Sequence, residues 1–468
     1  MEDTAGGLTV ALASGKVGRQ AVVIGGSMAG LLAGRVLADH FELVTILERD
    51  RFPAGPQPRS GVPQARHTHI LLLRGQQQLE KLFPGIQADL QQAGAPRVDW
   101  LNDLRSYVFT GWMPRFPSGY LTHPCSRDLL EWAIRQRVTS LPNLQILERA
   151  DVSHLLADER RRRVTGVRFT RRDRTASQGE DLPADLVVDA SGRESKGALW
   201  LASLGYPLPT ETHINSFLGY ASRLYQSPPG WSEWASHLVR GLPPNDRRGG
   251  VIYANEHGRW VVTLAGAGRD YPPTDEAGFL DFARSLAVPT LYDALREAQP
   301  ITPISGYRRT ENCWRRFERL PRWPEGFVVL GDAVCAFNPV YGQGMTVAAE
   351  GAMLLDERLH ELRLPERKSR HSSGNGSLGS LGLDFQKRLA TRIKTPWLLA
   401  TGDDFRFAET EGGRRTVITR WMHAYVDRVV YAALVDPRTY QTFFEVTQLV
   451  RPVSGLFTPQ IVAQALKN

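Results

Sequence analysis

Hydrophobic and polar positions recur with different periods along this chain, and the changes of period mark its elements. Residues 21–24 form a short apolar run of strand type, stopped by Gly25 and Gly26, where a side chain would clash in a tight turn. Residues 28–38 are apolar at nearly every position, with Gly30 and Gly34 four apart, which predicts a helix pressed closely on a sheet. A second strand follows at 43–47 and ends on Glu48. The spacing predicts a helix over 69–83, closed by Pro84-Gly85, and another opened by Arg127 with Ser126 as its N-cap. Strands are expected in the aromatic stretch 100–117 and at 144–147, 164–169 and 186–188. Between 206 and 303 the helical period fades. FLGYASRLY, VIYAN and RWVVTLAGAG alternate like antiparallel strands, with His257-Gly258 turning the last two. Residues 327–330 return to a buried strand, then Gly331-Asp332, a loop with Pro339, Gly342 and Gly344, and a small-residue helix from Met345. From Asp384 onward the pattern is helical.

This order describes an α/β protein: a Rossmann-type βαβ domain, an inserted antiparallel β-sheet and a C-terminal helical region. Residues 1–19 read as a flexible tail. Residues 20–99, 120–205 and 304–360 read as one discontinuous cofactor-binding domain, and 100–119 with 206–303 as a substrate-binding sheet domain. The run HSSGNGSLGSLG makes 363–382 a mobile loop, and 384–468 form a helical cap. Aromatic residues are dense in the inserted sheet. They are expected to cover an apolar pocket with one face, the alternative being that they fill only the sheet's own core.

Composition narrows the class. With 468 residues the chain is long for one core, and 42% hydrophobic with 23% charged residues is ordinary for a globular protein. No apolar run is long enough to span a bilayer, and no signal-peptide pattern opens the chain. Three widely spaced cysteines, Cys125, Cys313 and Cys335, point to neither a disulfide framework nor a zinc site, and a reducing cytoplasm is the natural reading. The net charge of +8 is largely local, since eight arginines fall between Arg160 and Arg174. No aromatic platform is interleaved with them, so they read as the solvated face of a hairpin and not as a nucleic-acid site.

The candidate chemistry sits in the turns. A parallel βαβ unit leaves the first N–H groups of its helix pointing at the turn, a site suited to a pyrophosphate. Gly25 and Gly30 hold the first and third positions of G-x-G-x-x-G, while Ser27 holds the second. Glu48, 23 residues after Gly25, stands where an acid can hold a ribose hydroxyl. A nucleophile elbow is excluded by spacing, because Met28 and Ala29 separate Ser27 from Gly30. The Gly331–Gly344 segment forms a second strand–turn–helix anion site, in which Asp332 can hold a sugar-chain hydroxyl. Between the two lies DLVVDASGRES, a buried strand ending on Asp189. His67 and His69 form an H-x-H pair with no further ligand cluster, so they read as polar residues of a loop lying against a cofactor and not as metal ligands.

In this order the motifs resemble the FAD-dependent aromatic-hydroxylase fold. GVPQARHTHILL, DLVVDASGR, FNPVYGQGM and PWLLATGDD are similar to flavin monooxygenases and epoxidases of bacterial secondary metabolism, including the polyether epoxidases. The resemblance runs from about residue 20 to 404 and is weakest between 206 and 303. It implies that Gly25, Ser27, Met28, Ala29 and Gly30 face the FAD pyrophosphate, with Glu48 and Arg49 on the adenosine side. Arg127 would contact the ribityl–phosphate region, and Gly331 and Asp332 the ribityl or phosphate side. Pro339, Gly342, Gly344 and Met345 would face the flavin pyrimidine, and Asp189 would lie behind the pyrophosphate. The implied activity is insertion of one oxygen atom from O₂, through a flavin C4a-hydroperoxide, into an alkene or aromatic carbon of an apolar substrate. No side chain is identifiable as catalytic beyond the flavin, and no metal is implied. D-A-S-G-R replaces the D-G form of the phenol hydroxylases, which leaves NAD(P)H or a separate flavin reductase as the electron source. A halogenase of the same fold would need a W-x-W-x-I-P motif, which is absent. A flavin dehydrogenase or reductase of isoprenoid or polyketide chains and a non-catalytic lipid or protein carrier are the remaining readings.

Overall fold

The computed structural model describes residues 15–172, 179–363 and 378–467. The tail expected at 1–19 and the loop expected at 363–382 lie mostly outside the described residues. Two kinds of sheet divide the rest. The first is a five-stranded sheet in which every neighbouring pair is parallel, in the order Phe327–Val329, Leu186–Asp189, Gly18–Ile24, Phe41–Leu47, Leu144–Leu147. Its inner strands are buried through their second halves and largely apolar there, as a sheet covered on both faces requires. The helix Met28–His40 follows its central strand and packs against the helix Gly344–Arg363, and one core runs through all of these elements.

The second is an eight-stranded sheet built mainly from 219–266, joined by Leu104–Val108 and Gly111–Trp112 from far upstream. His257 makes the tight turn between Arg248–Asn255 and Arg259–Gly266 in left-handed conformation (φ 62°). Two helices absent from the period reading, Glu276–Arg284 and Thr290–Glu297, cover one face. The C-terminal helices Val417–Val435 and Pro437–Thr447 cover the other. This corrects the aromatic-pocket expectation for most of the rings concerned. Tyr225, Trp234 and Trp260 belong to one core and Tyr253 to the other.

The arginine-rich segment lies on a three-stranded antiparallel meander, Ala150–Ala157, Val164–Arg171 and Glu180–Pro183. Some of its charges are paired with neighbouring strands, Arg168 with Asp181 at 2.6 Å and Arg172 with Asp151 at 2.7 Å. The helix expected over 69–83 begins only at Leu73. The preceding residues stay extended because the inserted sheet captures them: the Thr68 N–H donates to Thr263 Oγ1 at 3.2 Å, and the two threonine hydroxyls meet at 2.7 Å. Among the described residues no helix is long and apolar enough to cross a membrane.

Candidate functional site

The carboxyl end of the central parallel strand is where the site begins. Ile24 lies beside Leu47 on one neighbouring strand and Asp189 on the other, so all three turns open at the same edge. Gly25 takes φ 98°, and a Cβ there would stand 2.7 Å from the Ala190 carbonyl oxygen. At Gly30 a Cβ would come within 1.7 Å of the Gly25 carbonyl oxygen. The helix therefore sits directly on its own turn, and only glycine is compatible.

Ser27 is the N-cap of that helix, yet its hydroxyl caps nothing. It donates to Glu131 Oε2 at 2.8 Å and accepts from Arg127 Nη2 at 2.9 Å. Diverting the hydroxyl leaves the helix N-terminus without a side-chain cap and open to an external anion. Glu48 accepts from the Gly26 N–H at 2.7 Å and the Asp50 N–H at 2.9 Å, so it braces the turn it follows.

A buried charge cluster surrounds this turn. Arg127 opens the helix Arg127–Thr139, whose N-cap Ser126 accepts from the Leu129 N–H at 3.1 Å. Its Nη2 lies 2.7 Å from Glu131 Oε2, while Arg59 Nε reaches Glu131 Oε1 at 2.8 Å and Nη1 reaches Asp50 at 3.0 Å. Burial opposes charge on Glu131, but Arg127 and Arg59 overcome it and hold the carboxyl at about 2. Arg127 Nη1 and Arg59 Nη2 are buried without partners among the described residues.

Asp189 is fully buried and organises the middle turn, accepting from the Ser191 hydroxyl at 2.6 Å and the Ser195 hydroxyl at 2.5 Å. Arg193 then donates to the Phe337 carbonyl at 3.1 Å, which ties this turn to the second glycine segment.

That segment is held from the opposite end of the chain. Asp404, at the end of the helix Leu381–Asp404, accepts from Asn312 (2.5 Å), Asn338 (3.2 Å), Tyr341 (2.8 Å) and Ser216 (2.8 Å). Its neighbour Asp403 takes both oxygens to Arg240 of the inserted sheet, at 2.7 and 2.6 Å. Burial, aided by the charge of Asp403, pushes the Asp404 carboxyl up to about 6. Gly342 closes the Pro339–Tyr341 turn in left-handed conformation, and the helix Gly344–Arg363 starts two residues on.

All three turns line one cavity of about 500 Å³. Gly25, Ser27, Met28, Ala29, Glu48, Arg49, Arg127, Asp332, Pro339, Gly342, Gly344 and Met345 are on its wall. Gly30, Asp189 and Gly331 are not; they lie behind it, Gly30 under the first turn and Asp189 under Ser191, which does line it. Sequence reasoning missed Arg59 on the wall and Glu131 behind it, both without any local motif. It also missed Tyr307 and Phe337, which line the cavity together with Tyr220, one of the inserted-sheet aromatic residues expected to cover a pocket.

The loop read as lying against a cofactor contributes Thr68 and His69. The His69 Nδ1–H donates to the His67 carbonyl at 3.0 Å, which leaves Nε2 as an acceptor. Burial and the charge of Arg127 bring this imidazole down to about 4, so it is neutral at pH 7. His67 itself reaches Ser222 at 2.9 Å and packs edge-on against Tyr220. It lines a second cavity of about 440 Å³ that shares Arg59, Ser60 and Tyr307 with the first.

FAD fits this wall on three observations. An uncapped helix N-terminus meets a turn that excludes any Cβ, a buried guanidinium nitrogen has no partner, and the half-buried Asp332 faces the same cavity beneath a second helix start.

Comparison with known proteins follows the same line. No family model matches the chain. It is 33% identical over 475 residues to Protein Rv3254 of Mycobacterium tuberculosis, covering 97% of this chain and 95% of that relative. It is 27% identical over 356 residues to a kynurenine 3-monooxygenase of Salinispora arenicola, 72% of each. Among solved structures, the flavin-dependent brominase Bmp2 superposes with a TM-score of 0.65 at 13% identity, covering 96% of this chain and 98% of the brominase. PqsL, a probable FAD-dependent monooxygenase from Pseudomonas aeruginosa, superposes with a TM-score of 0.58 at 17% identity, covering 84% and 98%. The fold is thus one that flavin-dependent monooxygenases and halogenases share.

Proposed function

The chain belongs to the family of Protein Rv3254, and from that premise we propose that it is an FAD-dependent monooxygenase. It would place one oxygen atom from O₂ on an apolar secondary-metabolite substrate, by alkene epoxidation or aromatic hydroxylation. The observation that carries this reading is the cavity lined by two strand–turn–helix segments, with Arg127, whose Nη1 has no partner among the described residues, on the same wall.

In this reading the amides of residues 27–30 hold the pyrophosphate, and Glu48 with Arg49 take the adenosine side. Arg127 neutralises phosphate, Asp332 binds the sugar chain, and residues 342–345 receive the ring carbonyl side through the helix N-terminus. When bound, FAD supplies the activation of O₂ and the oxygen transfer. The protein's part is to orient and to keep water out. Ile70, Tyr220, Tyr307 and Phe337 give the cavity apolar walls suited to an apolar substrate. His69 Nε2, neutral and free to accept, can hold a substrate hydroxyl in place. Electrons would come from NAD(P)H or from a separate flavin reductase, and the D-A-S-G-R turn favours the latter.

Rapid mixing tests the proposal. The protein is loaded with FAD, reduced without air and mixed with O₂ with and without candidate alkenes and phenols. A transient flavin spectrum, distinct from the oxidised and reduced forms, is expected before reoxidation. Direct reoxidation under every condition would assign a dehydrogenase or reductase instead. Failure to retain FAD at all would favour a carrier.

A further inference from the structure

Among the described residues the most exposed large apolar side chains lie on the C-terminal helix Val417–Val435, far in sequence from every cavity-lining residue. Its second half is core: Val429, Val430, Ala432 and Ala433 are buried. Its first half projects. Every residue from 411 to 422 except Thr419 is exposed. Ile418 is 76% exposed, Trp421 74%, Val417 57% and Met422 37%. These positions recur at the spacing of one helix face, so they form a continuous stripe. Tyr425 extends it by one turn and stacks on Phe457, which is itself 45% exposed. A tryptophan and an isoleucine standing side by side in water are costly to maintain unless something covers them.

The charges around the stripe indicate what does. From residue 412 to 426 there is no acidic residue, while Arg414, Arg415 and Arg420 flank the stripe. All three are exposed, and among the described residues none has an ion-pair partner. The nearby acids are already engaged: Glu409 with Arg247, Glu411 with Arg269, and Asp427 with Arg406. Other exposed arginines also lack a carboxylate partner among the described residues, so it is the combination of three such cations with an exposed tryptophan and isoleucine that makes this surface distinct. A projecting helix end with Trp and Ile on one face and free guanidinium groups beside them matches the interface of an anionic bilayer, with the ring at headgroup depth and the cations on phosphates.

We propose that residues 414–422 dock the protein on an anionic phospholipid surface, peripherally and reversibly. The docking is independent of the oxygen chemistry proposed above. The site for it is built from the projecting helix end, not from a groove, which favours lipid over a folded protein partner.

Co-sedimentation of the intact FAD-loaded protein with vesicles provides the test. One set is phosphatidylcholine alone; the other contains equal parts phosphatidylcholine and phosphatidylglycerol. Binding is expected to the second set only and to weaken with added salt. Trp421→Ser combined with Ile418→Ser should abolish it, and each of Arg414→Gln, Arg415→Gln and Arg420→Gln should weaken it about fivefold. Val435→Ser, at the other end of the same helix and equally exposed, should leave binding unchanged. Flavin content and circular dichroism, unaltered in all variants, exclude misfolding. No binding to anionic vesicles, or equal binding by the Trp421/Ile418 variant, overturns the proposal. So does a concentration-dependent dimer in sedimentation that the same two substitutions dissolve, because the stripe would then belong to a second copy of the chain. None of these outcomes depends on turnover.

Discussion

The two glycine turns that line the cavity are built by opposite electrostatic strategies. The first is wrapped in full charges: Ser27 and Glu48 fix the turn, and Glu131 stays ionised between Arg127 and Arg59. The second is held by a network in which burial moves one carboxyl, Asp404, toward neutrality while its amide and hydroxyl neighbours converge on it. The first assembly spans residues 26 to 131, within one part of the chain. The second ties residues 216, 240, 312, 338 and 341 to 403 and 404, which makes the second turn dependent on the C-terminal helices. The lesson is that similar local motifs need not share a supporting structure, and the two should fail differently.

The largest effect is expected at Glu131. Glu131→Ala removes the carboxylate that two buried guanidinium groups share and leaves Arg127 without an ion-pair partner among the described residues, at a cost of about 3–5 kcal/mol. Urea denaturation of the apoprotein reads this directly; a loss below about 1 kcal/mol would show that the cluster is solvated and the contrast with the second turn unreal.

Next comes Asp404. Asp404→Ala removes the acceptor of Asn312, Asn338 and Ser216, and about 3 kcal/mol of stability should go with it. The two carboxyls also differ in the sign of their pH dependence. Asp404 has its folded value raised from 3.8 to about 6, so its contribution is complete below 3.8 and is lost as pH rises through about 6. Glu131 has its value depressed from 4.5 to about 2, so its contribution is present above 4.5 and is lost as pH falls through about 2. Stability measured across pH 3.8–6 should therefore fall less steeply, or rise more steeply, with pH in Asp404→Asn than in the parent, and identical slopes would remove the distinction.

A smaller effect bears on the cavity alone. Asp332→Ala should weaken FAD retention about tenfold while leaving the unfolding midpoint of the apoprotein nearly unchanged, since this carboxylate faces the cavity and braces nothing. Flavin content equal to the parent's after gel filtration would count against its assignment.

Smallest is Ser27→Ala. It removes one hydroxyl from the Glu131 cluster and should cost about 1 kcal/mol, with FAD still retained because the turn amides are untouched. Loss of FAD out of proportion to stability would mean that Ser27 acts on the cofactor and not on the cluster.

Much of the architecture was legible in short windows of sequence. Gly25 and Gly30 were identifiable because a turn under a helix excludes a Cβ. The helices begun by Met28 and Arg127 were identifiable from period and cap, and the His257-Gly258 turn from alternation. The helix expected from residue 69 was not, because its first turn is unwound by a threonine 195 residues away. The aromatic residues of the inserted sheet were visible as a group, but their division between two cores followed from which helices cover each face.

What the sequence determined by itself, then, was whatever a few neighbouring residues can enforce: glycine turns, strand and helix periods, and the acid at a strand end. Tertiary structure decided the rest. Arg59 finds Glu131 across 72 residues, Ser27 finds it across 104, and Asn338 finds Asp404 across 66. No local pattern names such a partner, because a charge is indifferent to sequence distance and answers only to burial and to what stands beside it in space.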